Sequence, residues 1–363
     1  MDELRAQHSH PLNELTLWRH RIRGAEHAVL PNRTTRPNPL VVGDAVVASI
    51  FSPGIVYAVD RATGRQRWRV RTDGLGGSTV TIASGILYAT TSHTLYALDA
   101  TSGHVKWTFC AYGTEHEWIY SAPTVHKNLA FIGDRTGKLH CLDARSGKPV
   151  WWKQTSRSGN PDINATALFH KHSVIVASNA GLAVAYEATT GRQQWRTRLD
   201  GPCGWELCIF ENKVVVPTRR SMYLLDPENG EVVERWRWRD SVIKAFAAAR
   251  GALVAITESE ASWRSITTER VHEAANIKGI RRGKMLFDRL TSKYACGIRW
   301  DKRTGFLYES RIDGLGILST ATGERIHNIT PNKGELYPGL VDVQNDVIYL
   351  LSMDGSLYAL NHP

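Results

Sequence analysis

Glu115-His116-Glu117 sets three metal-ligating side chains in consecutive positions, with Trp118 directly after them. Consecutive residues of an extended loop point to opposite sides, and zinc sites draw three or four ligands from spaced positions. One such stretch cannot aim all three groups at a single ion. Even with His93 as a further donor, the pattern does not amount to a metal centre, and no metal ligands are assigned. Ser121 with His93 or His116 would pair a hydroxyl with a base. No Gly-x-Ser-x-Gly elbow surrounds it, and no glycine-rich phosphate or dinucleotide motif occurs. Trp205-Glu206 and Lys244 offer an aromatic face, a carboxylate and an ammonium group. Together they suit a small polar ligand; equally, Glu206 and Lys244 pair with each other while Trp205 fills space. No catalytic set is identified.

The elements that must position these residues come from a repeat. Val56-Tyr-Ala-Val-Asp60-Arg-Ala-Thr-Gly64-Arg-Gln-Arg-Trp68 is its first copy, and Leu95 to Trp107, Leu139 to Trp151 and Ala183 to Trp195 follow it. Met222 to Trp236 is a looser copy whose Trp falls two residues late, and near residue 320 only Ala321-Thr-Gly323 survives. Each copy reads as a strand, a tight turn with Gly at a positive-φ position, and a second strand ending at Trp. An apolar hairpin precedes each copy, from Leu40-Val-Val-Gly43 to Leu340-Val-Asp-Val-Gln-Asn345. Two hairpins per unit, recurring every 40–45 residues or so, give the four strands of a propeller blade.

The pattern predicts an all-β chain: an eight-bladed β-propeller of four-stranded antiparallel blades. The last unit stops at Leu357-Tyr-Ala-Leu-Asn361, one strand short, and Leu15-Thr-Leu-Trp18-Arg-His-Arg-Ile22 looks like the missing strand. Residues 15–22 are therefore expected to complete the last blade and close the ring, removing exposed sheet edges. Residues 1–14 are expected to be a tail outside a single domain spanning 15–363, and 257–290 a divergent or inserted segment.

The unit Ala-x-Asp-x-x-Thr-Gly-x-x-x-Trp resembles the tryptophan-docking repeat of the quinoprotein alcohol dehydrogenase-like superfamily, over essentially residues 15–363. The resemblance implies that Trp18, Trp68, Trp107, Trp151, Trp195 and Trp236 pack between blades rather than hold ligand. It also implies either a quinone-dependent dehydrogenase or a non-enzymatic relative. The dehydrogenases seat their cofactor against a disulfide between adjacent cysteines; no two of the five cysteines here are neighbours, so no cofactor is expected.

Composition bounds the rest. A 42% hydrophobic and 22% charged chain reads as globular. There is no apolar stretch long enough to span a membrane. The polar N-terminus and odd, widely spaced cysteines lead to the expectation of a cytoplasmic protein. The net charge of +10 admits nucleic acid as a partner, through Arg281, Arg282 and their neighbours. In a propeller the blade-to-blade connectors and the middle loop of each blade share one face, around the channel mouth. That face is the candidate site, with His93, Glu115, His116, Glu117, Trp118, Asn164, Trp205, Glu206, Arg219, Lys244 and Tyr337. The expected role is a non-catalytic scaffold for a protein partner; catalysis on a small polar substrate and nucleic-acid binding are the alternatives.

Overall fold

The computed structural model describes residues 8–22, 39–50, 53–73, 80–91, 93–111, 119, 121–157, 159–204, 206–237, 241–249, 252–259, 266–270, 290–291, 295–301, 304–311, 314–319, 325–330, 338–352 and 355–363. Eight sheets follow one another along the chain. Blade 1 comprises Leu40–Val42, Ala45–Ile50, Ile55–Asp60 and Gln66–Arg71, and blade 2 Thr81–Ala83, Ile86–Thr90, Thr94–Asp99 and Val105–Cys110. Blade 3 runs from Thr124–His126 to Pro149–Gln154, blade 4 from Leu168–His170 to Gln193–Arg198, and blade 5 from Cys208–Phe210 to Val232–Arg237. Blade 6 contains Ser241–Ala249, Ala252–Ser259, Ile266–Arg270 and Leu290–Thr291. Blade 7 contains Ala295–Asp301, Phe306–Arg311, Gly314–Ser319 and Arg325–Thr330. Blade 8 takes Pro338–Gln344, Val347–Ser352 and Ser356–Asn361 from the C-terminal end and Thr16–Arg21 from the N-terminal end.

Burial explains the sequence of each strand. The second and third strands are sandwiched between neighbouring blades and are buried on both faces, so they read as continuous apolar runs such as Ala45–Ile50. Fourth strands lie at the rim and alternate in exposure, as in Gln66–Arg71. First strands of blades 2 and 3, 3 and 4, 5 and 6, 6 and 7, 7 and 8, and 8 and 1 touch one another, which places them around the axis.

The turn between third and fourth strands is built by its aspartate. Asp60 Oδ1 accepts from the amides of Ala62 and Thr63 and from the Thr63 hydroxyl, and the Gly64 amide donates to the Asp60 carbonyl at 2.8 Å. Arg67 and these turn donors hold the Asp60 carboxyl at about 2, and the Ser102 turn donors with Lys106 hold Asp99 at about 2. Both lie below the ordinary value of 3.8, so the turns favour the ionised folded state. Their contribution is complete above the unfolded value and is lost as pH falls through the folded one. Stability is therefore expected to be level down to about pH 4 and to decline between about 4 and 2. Chemical denaturation across that range checks this; Asp99→Asn should flatten part of the decline.

After each turn the fourth strand slips by one residue, in blades 1 to 5, 7 and 8. The slip sets Trp opposite a small or apolar residue, as Trp68 faces Ala58 and Trp195 faces Ala185. From there the indole lies over the turn glycine of the next blade. A Cβ added at Gly103 would stand 2.7 Å from ring carbons of Trp68, and Gly103 has φ +72°, so two constraints select glycine there. Trp107, Trp151 and Trp195 lie likewise over Gly147, Gly191 and Gly230. Each indole N–H also donates to a turn carbonyl of the next blade: Trp68 to Ala100 at 3.3 Å, Trp107 to Ala144 at 3.2 Å, Trp151 to Ala188 at 2.9 Å and Trp195 to Pro227 at 2.9 Å.

Trp236 departs from this arrangement. In blade 5 the position after the slip, opposite Leu224, belongs to Glu234, and Trp236 sits two residues on, opposite Met222. Its indole N–H donates to Glu234. The facing side chains of blade 6 lie outside the described residues. In blade 7 the corresponding position, opposite Ile317, is His327.

Closure runs through the N-terminal strand. Trp18 pairs with Ala359, Arg19 with Tyr358 and His20 with Leu357, antiparallel. Trp18 then lies over Gly64 of blade 1 and donates to the Arg61 carbonyl at 2.9 Å. A cluster containing Ile22, Val41, Val46, Tyr57, Tyr349 and Leu357 joins the two ends of the chain in one core.

Residues 8–14 do not behave as the expected tail. His8–Pro11 adds a fifth strand to blade 7, parallel to Arg325–Thr330, and a turn of helix, Leu12–Leu15, leads into blade 8. The reason is Leu12, 1% exposed, which packs with Tyr308, Ile317, Ile348 and Tyr358 between blades 7 and 8. Polar composition concealed a single apolar anchor. Within 257–290, Ile266–Arg270 and Leu290–Thr291 belong to the sheet of blade 6; residues 271–289, including Arg281 and Arg282, lie outside the described set.

Candidate functional site

Connectors between blades meet the middle loops on one face of the ring, and polar side chains fasten them. Asp73, on the connector leaving blade 1, accepts from the hydroxyls of Thr91 and Thr94 in blade 2 at 3.2 and 2.7 Å, while its amide donates to Tyr96 Oη at 3.0 Å. Blade 4 joins blade 5 in the same way: Asp200 accepts from Thr218 at 2.9 Å and Ser221 at 2.6 Å, pairs with Arg235, and donates its amide to Tyr223 Oη at 3.1 Å. Burial opposes ionisation of Asp200, but the Ser221 and Thr218 hydroxyls and the Arg235 guanidinium outweigh it and hold the carboxyl below the usual range.

Between blades 3 and 4 the fastening differs. Asp134 is fully buried; its Oδ2 meets His140 Nε2 at 2.8 Å and its Oδ1 accepts from the Thr136 and Lys138 amides. Burial works against the Asp134 charge, and the His140 and turn contacts still lower its pKa. Asp162, on the connector, lies 3.5 Å from Arg135, and burial dominates there, raising its pKa. Three buried oxygens on blade 4 and the connector into it have no hydrogen-bond partner among the described residues: Asn164 Oδ1, Thr166 Oγ1 and Ser178 Oγ. Groups of that kind require a polar guest or solvent.

Asp73, Asp134 and Asp200 are thus structural. Each already accepts hydrogen bonds or an ion pair that fixes a loop, which leaves none of Asp73, Asp134 or Asp200 placed as a general acid or base. Of the residues singled out in the sequence, His93 is half-buried in the middle loop of blade 2, Asn164 is half-buried on the connector into blade 4, and Glu206 and Arg219 are exposed. Lys244 occupies the slip between Ile243 and Ala245 in the first strand of blade 6; its side chain lies outside the description. Glu115, His116, Glu117, Trp118, Trp205 and Tyr337 also lie outside the described residues. Composition and repeat spacing did not single out the Asp73 and Asp200 fasteners. The signal was present in the middle-loop pairs Thr91-x-x-Thr94 and Thr218-x-x-Ser221, each following an aspartate by the same distance.

Cys141, Cys203 and Cys208 are free thiols. Burial pushes Cys141 and Cys208 up to about 12 and raises Cys203 as well. At pH 8 these three are expected to resist alkylation until the protein unfolds, while exposed Cys110 reacts; mass-spectrometric mapping of alkylated peptides checks the order. With free thiols at Cys203 and Cys208 and no adjacent pair in the chain, the seat that a dehydrogenase offers its quinone is missing. Among the described residues no helix is long and apolar enough to cross a membrane.

The family model described as outer membrane protein assembly factor BamB matches residues 12–163 and 152–361. The chain is 34% identical over 157 residues to the serine/threonine-protein kinase AfsK of Streptomyces coelicolor, covering 43% of this chain and 18% of that one. It is 27% identical over 239 residues to the outer membrane protein assembly factor BamB of Burkholderia pseudomallei, covering 61% of each. Both matches therefore span less than two thirds of the relative. The quinohemoprotein alcohol dehydrogenase of Comamonas testosteroni superposes with a TM-score of 0.74 at 13% identity, over 96% of this chain and 76% of that one, a likeness of fold alone.

Proposed function

Since this chain belongs to the family of PQQ-type propellers described as outer membrane protein assembly factor BamB, we propose that it is a non-catalytic scaffold whose channel-mouth face receives a protein partner. The observation that carries the reading is the match itself, which runs from residue 12 to residue 361 and so covers every blade. The relative from Burkholderia pseudomallei, named for assembly, supports it.

The face fits the role. Its buried carboxylates are spent on fixing loops, so the connectors form a preorganised surface, which lowers the ordering cost of association. Arg219, Arg220 and Glu206 stand exposed upon it, a mixed-charge rim of the kind that steers partners and sets register. We place the protein in the cytoplasm; the free, buried thiols of Cys141, Cys203 and Cys208 fit a reducing compartment.

Site-specific photocrosslinking tests the reading. A photoreactive residue at Arg219 on the face, and another at Val105 on the outer rim, would be activated in the native cell and the adducts identified by mass spectrometry. The expected result is a defined protein adduct at Arg219 that is absent at Val105. Adducts confined to Val105, or none at either position, would count against this face as the docking surface.

A further inference from the structure

Blade 7 ends in a histidine cluster that the function above does not use. His327 occupies the position held by Trp in the regular blades. The turn that such a residue would cover in blade 8 is the chain's own C-terminal end, where His362 lies. Over this irregular junction lies the added strand His8–Pro11. It runs parallel to Arg325–Thr330 with His8 directly opposite His327. His8 and His10 are two residues apart in a strand, so both side chains leave the same face as that of His327 opposite His8.

The ring spacings approach those of a shared centre. His10 and His327 centroids are 5.3 Å apart, His8 and His327 5.7 Å, and His8 and His10 6.4 Å. Imidazoles bound to one tetrahedral ion at a metal–nitrogen distance of about 2.0–2.1 Å have centroids about 5 Å apart. His10 Nε2 and His327 Nδ1 face each other at 3.1 Å, close to the separation of two ligand atoms on such an ion. We propose that His8, His10 and His327 form a binding site for a borderline divalent cation of the zinc, nickel or copper class.

As placed, no three donors among the described residues already stand as a complete ligand set. His10 and His327 already face each other, and the exposed His8 side chain would have to turn toward them to supply a third donor. His362 stays outside the set: its Nε2 is engaged with Tyr308 Oη at 2.9 Å and its Nδ1 lies 3.1 Å from the Pro363 carbonyl. Three neutral imidazoles with an open fourth position suit these cations better than calcium or magnesium, which take oxygen ligands. Two of the ligands come from residues 8–11 and the third from blade 7, so the cation would pin the N-terminal segment to the ring.

Zinc titration of the full chain at pH 7.5, followed by equilibrium dialysis and thermal melting, tests the site; cobalt substitution reports the coordination number by its visible absorption. About one zinc per chain is expected, with a melting temperature raised by zinc. His10→Ala and His327→Ala should each weaken binding by at least about tenfold and abolish the cobalt band, whereas His362→Ala should leave affinity within about threefold. Should His327→Ala fail to fold, His10→Asn on the surface strand carries the test alone. Zinc affinity unchanged in His10→Ala and His10→Asn, or no stoichiometric binding by the unaltered chain, would overturn the proposal. In that case the 3.1 Å contact is only a hydrogen bond.

Discussion

Replacing Trp195 with Ala is expected to lower the free energy of unfolding by about 3–5 kcal/mol, the usual range for removing a large buried aromatic side chain. Three separate losses converge on that residue. The indole is 5% exposed and packs in a cluster with Ala185, Val216 and Tyr223, so its removal leaves a cavity between blades 4 and 5. Its N–H satisfies the Pro227 carbonyl at 2.9 Å, which would lose its donor. Its ring also covers Gly230, which has no side chain to fill the gap left behind. Trp107→Ala acts through the same contacts at a less buried position and should cost somewhat less. Equilibrium denaturation measures both; a midpoint unchanged by Trp195→Ala would mean that the blades are not held together by these rings.

Deleting residues 1–22 is expected to have the larger consequence: loss of the stable closed ring. Without Thr16–Arg21 the strand Ser356–Asn361 presents an unpaired edge, and its apolar residues Leu357, Ala359 and Leu360, all fully buried in the intact ring, lose their cover. Unpaired apolar edges recruit other chains. Trp18 would vanish from Gly64 and Leu12 from the junction of blades 7 and 8. The truncated chain should therefore aggregate or populate oligomers, which size-exclusion chromatography with light scattering would show. A truncated monomer with native-like melting would contradict the closure.

Particular residues show why the fold was legible and the site less so. The repeat writes the blade directly: an aspartate that accepts turn amides, a glycine that must take positive φ, and a tryptophan placed by a one-residue slip each recur at fixed offsets. Closure was legible because the last copy lacks one strand and the first residues supply it. Residues 8–14 escaped notice because their docking depends on one leucine and on pairing with a strand more than 300 positions away. Periodicity cannot report contacts of that kind. Trp236 stands apart because residue type and register part company in blade 5, where Glu234 holds the register position.

His93 and Arg219 sit in middle loops and Asn164 and Glu206 on connectors, the loops from which blade topology leads to the expectation of a channel-mouth site. What holds those loops was not anticipated, because Asp73 and Asp200 act across blade boundaries on hydroxyls about 20 residues away. Local patterning treats an aspartate after a strand as a turn residue, and only the assembled ring reveals it as a fastener. The histidines repeat the lesson: His8, His10 and His327 are unremarkable singly and become a cluster only through parallel strand addition.

The central claim is that the two ends of the chain meet in one sheet and shut the ring. Hydrogen–deuterium exchange over residues 15–22 tests it most directly in the intact protein. The account predicts protection of these amides comparable to that of Thr94–Asp99 in the middle of blade 2. Exchange of residues 15–22 at the rate of an unstructured peptide, with Thr94–Asp99 still protected, would contradict it.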